Sequence, residues 1–299
     1  MPVGRTFDGS TPRAPRLYAV RDYLHARRLR RAVARAAITN RPVYLCSYPK
    51  TGRTWLRFLL SAYIDRAFGC GIGIDLQSMF SVIPNLSTHR RRGIGVFCLR
   101  ADGRVPLVLA SHAGYESGEF DERNDAIFLL RGVHDVIVSS YFHATRQRRE
   151  GERYRGDLRS FLHDPYKGVA RFVRYHNSWA EVLGRTHSHI LTYESLRAEP
   201  VDTFHALLEF LGLPIDDTLI AEVVRSGEFD TMQALERRTG VDGQRYDRSD
   251  PESLRMRRGR VGGHTEYLSS QEIAEIRDAC RKQLSPRARA LFEDRGLEV

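Results

Sequence analysis

The sequence predicts a single α/β domain whose central parallel sheet carries helices on both faces, and three observations lead there. Four short apolar runs, at 43–46, 105–110, 126–130 and 188–193, have the length and make-up of buried strands. Longer stretches with apolar residues at helical spacing lie between them. The 299 residues, 41% hydrophobic and 28% charged, also form an ordinary globular composition that supports one large core. Short buried strands alternating with longer helices are the pattern of a parallel sheet.

Residues 1–15 hold three prolines and read as a loose arm, which leaves 16–299 as the domain. Residues 16–38 repeat apolar positions at helical spacing, with arginines on the other face. The strand Val43–Cys46 runs into SYPKTGRT, and WLRFLLSAYIDRAF behind it is helical until Gly69. The strand AIFLL leads through Arg131 and Gly132 into a helix, HDVIVSSYFHATRQRR. A helix near 168–184 precedes the strand SHILTY, and VDTFHALLEFLG forms a helix closed by Gly212 and Pro214. Two stretches, 69–95 and 239–262, lack periodicity, and loops of that length are usually functional.

Composition excludes some roles. No run reaches the roughly 18 apolar residues of a membrane span, and residues 1–16 lack the apolar core of a signal peptide. Four scattered cysteines without a CxxC pair fit a reducing cytoplasm and speak against a zinc site. The net charge of +10 points to nucleic acid, an anionic surface or a small anionic ligand, unless it reflects a plain bias toward arginine. That bias is strong: of 47 basic side chains only Lys50, Lys167 and Lys282 are lysines. A lysine inside a motif is therefore informative.

Lys50 lies in the string Ser47-Tyr48-Pro49-Lys50-Thr51-Gly52-Arg53-Thr54-Trp55, between a strand and a helix, where open parallel sheets bind ligands. Gly52 permits a sharp turn, successive N–H groups and the helix dipole face an anion, and Thr51, Thr54 and Lys50 add donors. This is not a Walker A loop, because the lysine precedes the glycine and the chain contains no Gly-Lys pair. An NTP-dependent kinase is disfavoured on that ground. A nucleic-acid-binding protein would explain the charge, but no helix-turn-helix, zinc-finger or RNA-sheet signature appears.

The string resembles the first nucleotide-binding signature of the sulfotransferases that use 3′-phosphoadenosine 5′-phosphosulfate (PAPS), Tyr-Pro-Lys-Ser/Thr-Gly-Thr-Thr-Trp. It departs at Arg53, where threonine is usual. Arg131 and Ser139, eight positions apart, resemble the family's second signature, a pair that grips the 3′-phosphate. Arg257-Arg258-Gly259-Arg260-Val261-Gly262 resembles the Arg-Lys-Gly-x-x-Gly segment that folds over the same phosphate. Tyr193 with Glu194 resembles the strand end near the adenosine, and Phe229 an adenine-stacking aromatic opposite Trp55. The resemblance runs from about residue 43 to about residue 283 and implies a P-loop-like nucleotide-binding fold.

What it implies chemically is transfer of a sulfo group from PAPS to an acceptor hydroxyl, leaving 3′,5′-bisphosphoadenosine (PAP), with no metal. Lys50 is then the charge at the leaving oxygen and His112, after the strand 105–110, the general base. Ser139 is placed with these two beside the reacting groups. His89, His134, His143 and Glu116 are alternatives for the base. Walls of an acceptor pocket are expected at 69–95, 113–125 and 239–256, carrying Phe80, Tyr115 and Tyr246, with Tyr141 and Phe142 nearby. Those aromatics favour a small-molecule alcohol or phenol, natural products included. Arg90-Arg91-Arg92 would suit an acidic acceptor, and a sugar or glycolipid hydroxyl is the second reading. The oligomeric state is left open.

Overall fold

Four parallel strands in the order β2-β1-β3-β4 form the sheet: β1 (Pro42–Ser47), β2 (Leu107–Ser111), β3 (Asp125–Leu130) and β4 (Ser188–Thr192). The computed structural model describes residues 31, 34–40, 42–85, 103–105, 107–118, 120–147, 150–241 and 246–299. The predicted arm 1–15, His89 and the triplet Arg90–Arg92 lie outside them. Of the helix predicted over 16–38, residues 31 and 34–38 are described, and they are helical.

The apolar alternation along each strand sorts side chains to two cores. Val43, Leu45, Ile127 and Leu129 point to one face, while Cys46, Ala126, Phe128 and Leu130 point to the other. The first face is covered by α1 (Arg53–Ala67), the short α2 (Met79–Val82) and, after β4, by α7 (Pro200–Phe210), α8 (Asp217–Ser226) and α9 (Phe229–Thr239). The second is covered by α3 (Val133–Arg146), α4 (Leu158–His163), α5 (Val169–Leu183), α10 (Ser270–Gln283) and α11 (Pro286–Glu293). Burying both faces is what makes the strands nearly continuous apolar runs.

The sequence boundaries shift at three places. β2 starts at Leu107 and ends at Ser111, so Val105 precedes the strand. β4 stops at Thr192, and Tyr193 opens α6 (Tyr193–Ala198). The cause is a capping box: the Thr192 hydroxyl accepts from the Ser195 N–H, and the Ser195 hydroxyl lies 3.3 Å from the Thr192 N–H. The stretch 69–95 contains α2, whose buried Met79, Phe80 and Val82 pack toward α1.

Candidate active site

Each strand delivers one predicted site residue just beyond its carboxyl end: Lys50 after β1, His112 after β2, Arg131 after β3 and Tyr193 after β4. Sheet topology thus gathers side chains that are up to 143 positions apart in sequence. The turn between β1 and α1 is strained. Lys50 sits at φ 74°, a left-handed conformation that a non-glycine residue rarely adopts, and Gly52 sits at φ 96°. A Cβ on Gly52 would lie 2.6 Å from Cδ2 of Tyr193, so glycine here serves both the turn and the close approach of that ring. Arg131 braces the turn, donating from Nη1 to the Lys50 carbonyl at 3.2 Å while its guanidinium lies 4.2 Å from the Tyr193 ring centre.

Around this turn lies a cavity with about 850 Å³ of empty space. Lys50, Gly52, Arg53, Thr54, Trp55, His112, Arg131, Ser139, Tyr193, Phe229, Arg257, Arg258 and Gly259 all line it, which is every predicted site residue but one. The exception is Thr51. Its side chain is fully buried and its hydroxyl donates to the Tyr48 carbonyl at 2.9 Å, so the predicted hydroxyl donor is spent on the turn itself. Sequence reasoning missed Arg197, Arg255, Gly227, Met232 and Met256 in the same lining. Arg197 had a signal, standing four residues after Tyr193 on α6, and its guanidinium lies 5.7 Å from the Trp55 ring centre. On two residues of this lining a donor is buried with no hydrogen-bond partner among the described residues, Nε of Arg131 and Nε1 of Trp55.

The loop predicted to fold over the cavity is held by two buried carboxylates, Glu236 and Asp135. Glu236 on α9 accepts from the Arg255 N–H at 2.8 Å and the Met256 N–H at 2.9 Å, and takes a short hydrogen bond from the Tyr246 hydroxyl. Further along, Arg257 reaches Glu252 at 3.1 Å and the Tyr267 hydroxyl at 2.7 Å, while Asp135 accepts from the Gly262 and His264 N–H groups, both at 2.9 Å. Burial pushes the Asp135 carboxyl up, but His264, Arg131 and these N–H groups outweigh it and hold the acid below its ordinary range. Gly259, at φ 63°, lets the Phe229 ring rest on the backbone, since a Cβ there would meet Phe229 at 2.1 Å.

A second cavity adjoins the first. It is a void of about 1680 Å³ open to solvent, lined by Phe80, Asn85, His143, Tyr154, Phe161 and Tyr166 among others. Five residues line both cavities: Lys50, Arg53, Thr54, His112 and Arg255. Phe80 and Asn85 from 69–95 and Val241 and Arg255 from 239–256 line the second cavity as expected, but the other aromatics named in the sequence are elsewhere. Tyr115 is taken up by an aromatic cluster with Phe120 and Trp179, and by a hydrogen bond to Glu122. Tyr141 packs on Phe161, Phe142 packs on Tyr267 beneath Arg257, and Tyr246 bonds to Glu236. The missed walls come from 140–171, where α3, α4 and the start of α5 face the void.

At the junction, His112 faces open space, yet protein encloses most of its surroundings. Its Nδ1 lies 2.7 Å from the Ser47 carbonyl oxygen, which can only accept, so the ring proton resides on Nδ1 and the Nε2 lone pair is the basic position. Burial, Arg53, Arg57 and Arg255 together hold the imidazole well below its usual proton affinity, against the opposing effect of the Ser47 bond. The ring is therefore neutral at neutral pH. Lys50 is likewise pushed well down, by burial first and then by Arg255, and Nζ donates to Oε1 of Gln147 at 3.3 Å. Gln147 also lies 2.8 Å from Nδ1 of His143 and donates to the Leu254 carbonyl. The alternative bases are differently engaged: His134 stacks on His264, and Glu116 lines neither cavity.

The comparison with known proteins settles the family. The profile described as "Sulfotransferase domain" matches residues 40–286. The chain belongs to the sulfotransferase family. A flavonol sulfotransferase-like protein of Flaveria bidentis is 26% identical to this sulfotransferase over 263 residues, 81% of either chain. Cytosolic sulfotransferase 17 of Arabidopsis thaliana is 26% identical, covering 78% of this chain and 71% of its own. Among solved structures, mouse sulfotransferase SULT7A1 complexed with PAP superposes with a TM-score of 0.58 at 19% identity, covering 88% of this chain and 94% of its own. Retinol dehydratase in complex with retinol and PAP gives 0.58 at 12% identity, over 82% and 81%. These superpositions establish the P-loop-like fold, whose four-stranded parallel sheet this sulfotransferase has.

Among the described residues, no helix is long and apolar enough to cross a membrane, and no three His, Cys, Asp or Glu side chains gather as a metal site.

Proposed function

We propose that this sulfotransferase moves the sulfo group of PAPS to a hydroxyl of a small-molecule alcohol or phenol, in the cytoplasm. The observation that carries the reading is the shared wall: Lys50, Arg53, Thr54, His112 and Arg255 face both an arginine-lined cavity and a larger, aromatic one. The first suits the donor. Arg131, Ser139, Arg257 and Arg258 supply donors for a phosphate, and Trp55 and Phe229 supply ring faces for a base. The second cavity suits the acceptor: about 500 Å³ of it can be entered by a solute, within the roughly 300–1,000 Å³ of common small-molecule sites, so it admits a multi-ring alcohol.

The acceptor oxygen forms the new bond to sulfur as the bond from sulfur to the phosphate oxygen breaks. Nε2 of His112 takes the hydroxyl proton, and the cationic Nζ of Lys50 offsets the charge left on the phosphate oxygen. The flavonol-directed relative is consistent with a phenolic acceptor. A screen of phenols, alcohols and sugars with PAPS, read by the mass gain of one sulfo group and by release of PAP, tests the assignment. Tight PAP binding with no sulfated product from any acceptor would overturn it.

Two variants test the donor side by calorimetry. Glu236→Gln places an amide where two backbone N–H groups need acceptors, leaving one unsatisfied at a cost of about 1–3 kcal/mol. PAP affinity should fall roughly tenfold or more and the thermal midpoint should drop; unchanged affinity would mean that the loop closes without Glu236. Gly259→Ala drives a methyl group into Phe229 and adds left-handed strain of about 1–2 kcal/mol. It should weaken PAP by a similar factor, and equal binding would remove Phe229 from the base clamp.

A further inference from the structure

The charges of the acceptor cavity are not used up by the donor. Six cationic side chains line it, Lys50, Arg53, Arg57, Lys167, Arg171 and Arg255, against one carboxylate, Glu152. Three of the six, Lys50, Arg53 and Arg255, also face the donor cavity, where phosphate and phosphosulfate would meet them. Arg57, Lys167 and Arg171 face the acceptor cavity only.

Their surroundings make them a recognition surface. Arg57 is buried, bonded through Nη2 to the neutral Asn85 side chain at 2.6 Å, and its guanidinium lies 4.5 Å from the Phe80 ring centre. Lys167 lies 5.3 Å from the Tyr154 ring centre and 3.2 Å from Asp164. Arg171, one helical turn beyond, lies exposed with its guanidinium 5.6 Å from the Tyr48 ring centre. Lys167 is one of three lysines in the chain, and Lys50 is another, so two of the three line one cavity. Aromatic rings interleaved with cations suit a flat acceptor that bears a negative group away from its hydroxyl.

We infer that the preferred acceptor is an aromatic hydroxy acid: a phenol presented to His112, with a carboxylate or comparable anion held by Lys167 and Arg171. This deepens the proposed reaction and rests on it. The hydroxyl enters at the junction of the cavities, whereas Lys167 and Arg171 belong to the wall built by the segment before α5 and by α5 itself. Attraction at the partly exposed Lys167 and exposed Arg171 is screened by salt, which gives the interaction a signature that shape alone would not produce.

The test uses matched probes with the same hydroxyl: hydroxyphenyl-acetate, -propanoate and -butanoate, each against its methyl ester. With PAPS, kcat/KM for the best acid should exceed that of its ester by about tenfold or more at low ionic strength, and the ratio should shrink as salt rises. Lys167→Gln and Arg171→Gln should each bring the ratio closer to one, with Arg171→Lys restoring part of it. Binding of each pair to the PAP complex, followed by calorimetry, separates the two levels of inference. Esters that bind and react as well as the acids overturn the anion site and leave sulfo transfer standing. Acids that bind better than esters through Arg171, yet never gain a sulfo group in any acceptor screen, support the anion site and overturn the reaction.

Discussion

Replacing His112 with alanine should lower turnover by about 10²–10⁴ while PAP binding stays within a few-fold. The expectation follows from the tautomer. The Ser47 carbonyl claims the Nδ1 proton, so Nε2 presents a lone pair, and burial together with the surrounding arginines keeps that lone pair unprotonated at neutral pH. The pH profile of kcat/KM carries the same information. A base whose proton affinity is depressed stays competent as pH falls through 6.5, the usual histidine value, and loses activity only lower, when the ring takes up a proton. An acid limb centred at or above that value would mean that another group is titrating. Full turnover in the His112→Ala protein would remove the histidine from the mechanism altogether.

Lys50→Ala should reduce kcat by about 10²–10³ and, unlike the histidine variant, also weaken PAP. Two properties make Lys50 hard to replace. It holds the left-handed φ of the turn, and its ammonium is a compact charge where a planar guanidinium would not fit equally. Lys50→Arg should therefore recover only a minor part of the rate. Because burial and Arg255 depress its proton affinity, the lysine of the free enzyme loses its charge as pH rises through a range below the ordinary 10.5. The alkaline limb of kcat/KM should fall there, and it should vanish in Lys50→Arg. A Lys50→Ala enzyme with wild-type kcat would show that the charge acts only in binding.

The lining of the proposed donor site was legible because its parts are local strings. Ser47–Trp55 combines a glycine turn, hydroxyls and a rare lysine in nine residues, and Arg131 and Ser139 sit at a fixed interval behind a strand. Arg255 was invisible for the opposite reason: it is one of four arginines in the six positions 255–260, interrupted only by Met256 and Gly259, in a chain biased to arginine, with nothing to set it apart. The buried bond that gives its segment a fixed place comes from Glu236, nineteen residues upstream. Of the expected acceptor walls, 69–95 and 239–256 contribute Phe80, Asn85, Val241 and Arg255, whereas 113–125 contributes nothing, because an aromatic side chain in a loop can turn either way. Tyr115 had an aromatic cluster available and a carboxylate at hand, and it turned from the void to both. Tyr154 and Tyr166, unremarked in the sequence, line the void instead.

Strand ends position the principal donor groups and the base, while much of the acceptor wall is carried by helix faces and connections at 140–171. The two parts consequently face different tolerances to change. A substitution at Lys50, Arg131 or Tyr193 disturbs hydrogen bonds and ring contacts that tie three strands together at their shared edge. One at Tyr166 touches a single exposed wall, with the sheet untouched. Selection, natural or directed, can therefore rewrite what this enzyme sulfates by editing a short contiguous stretch, without rebuilding the part that carries the sulfo group to it.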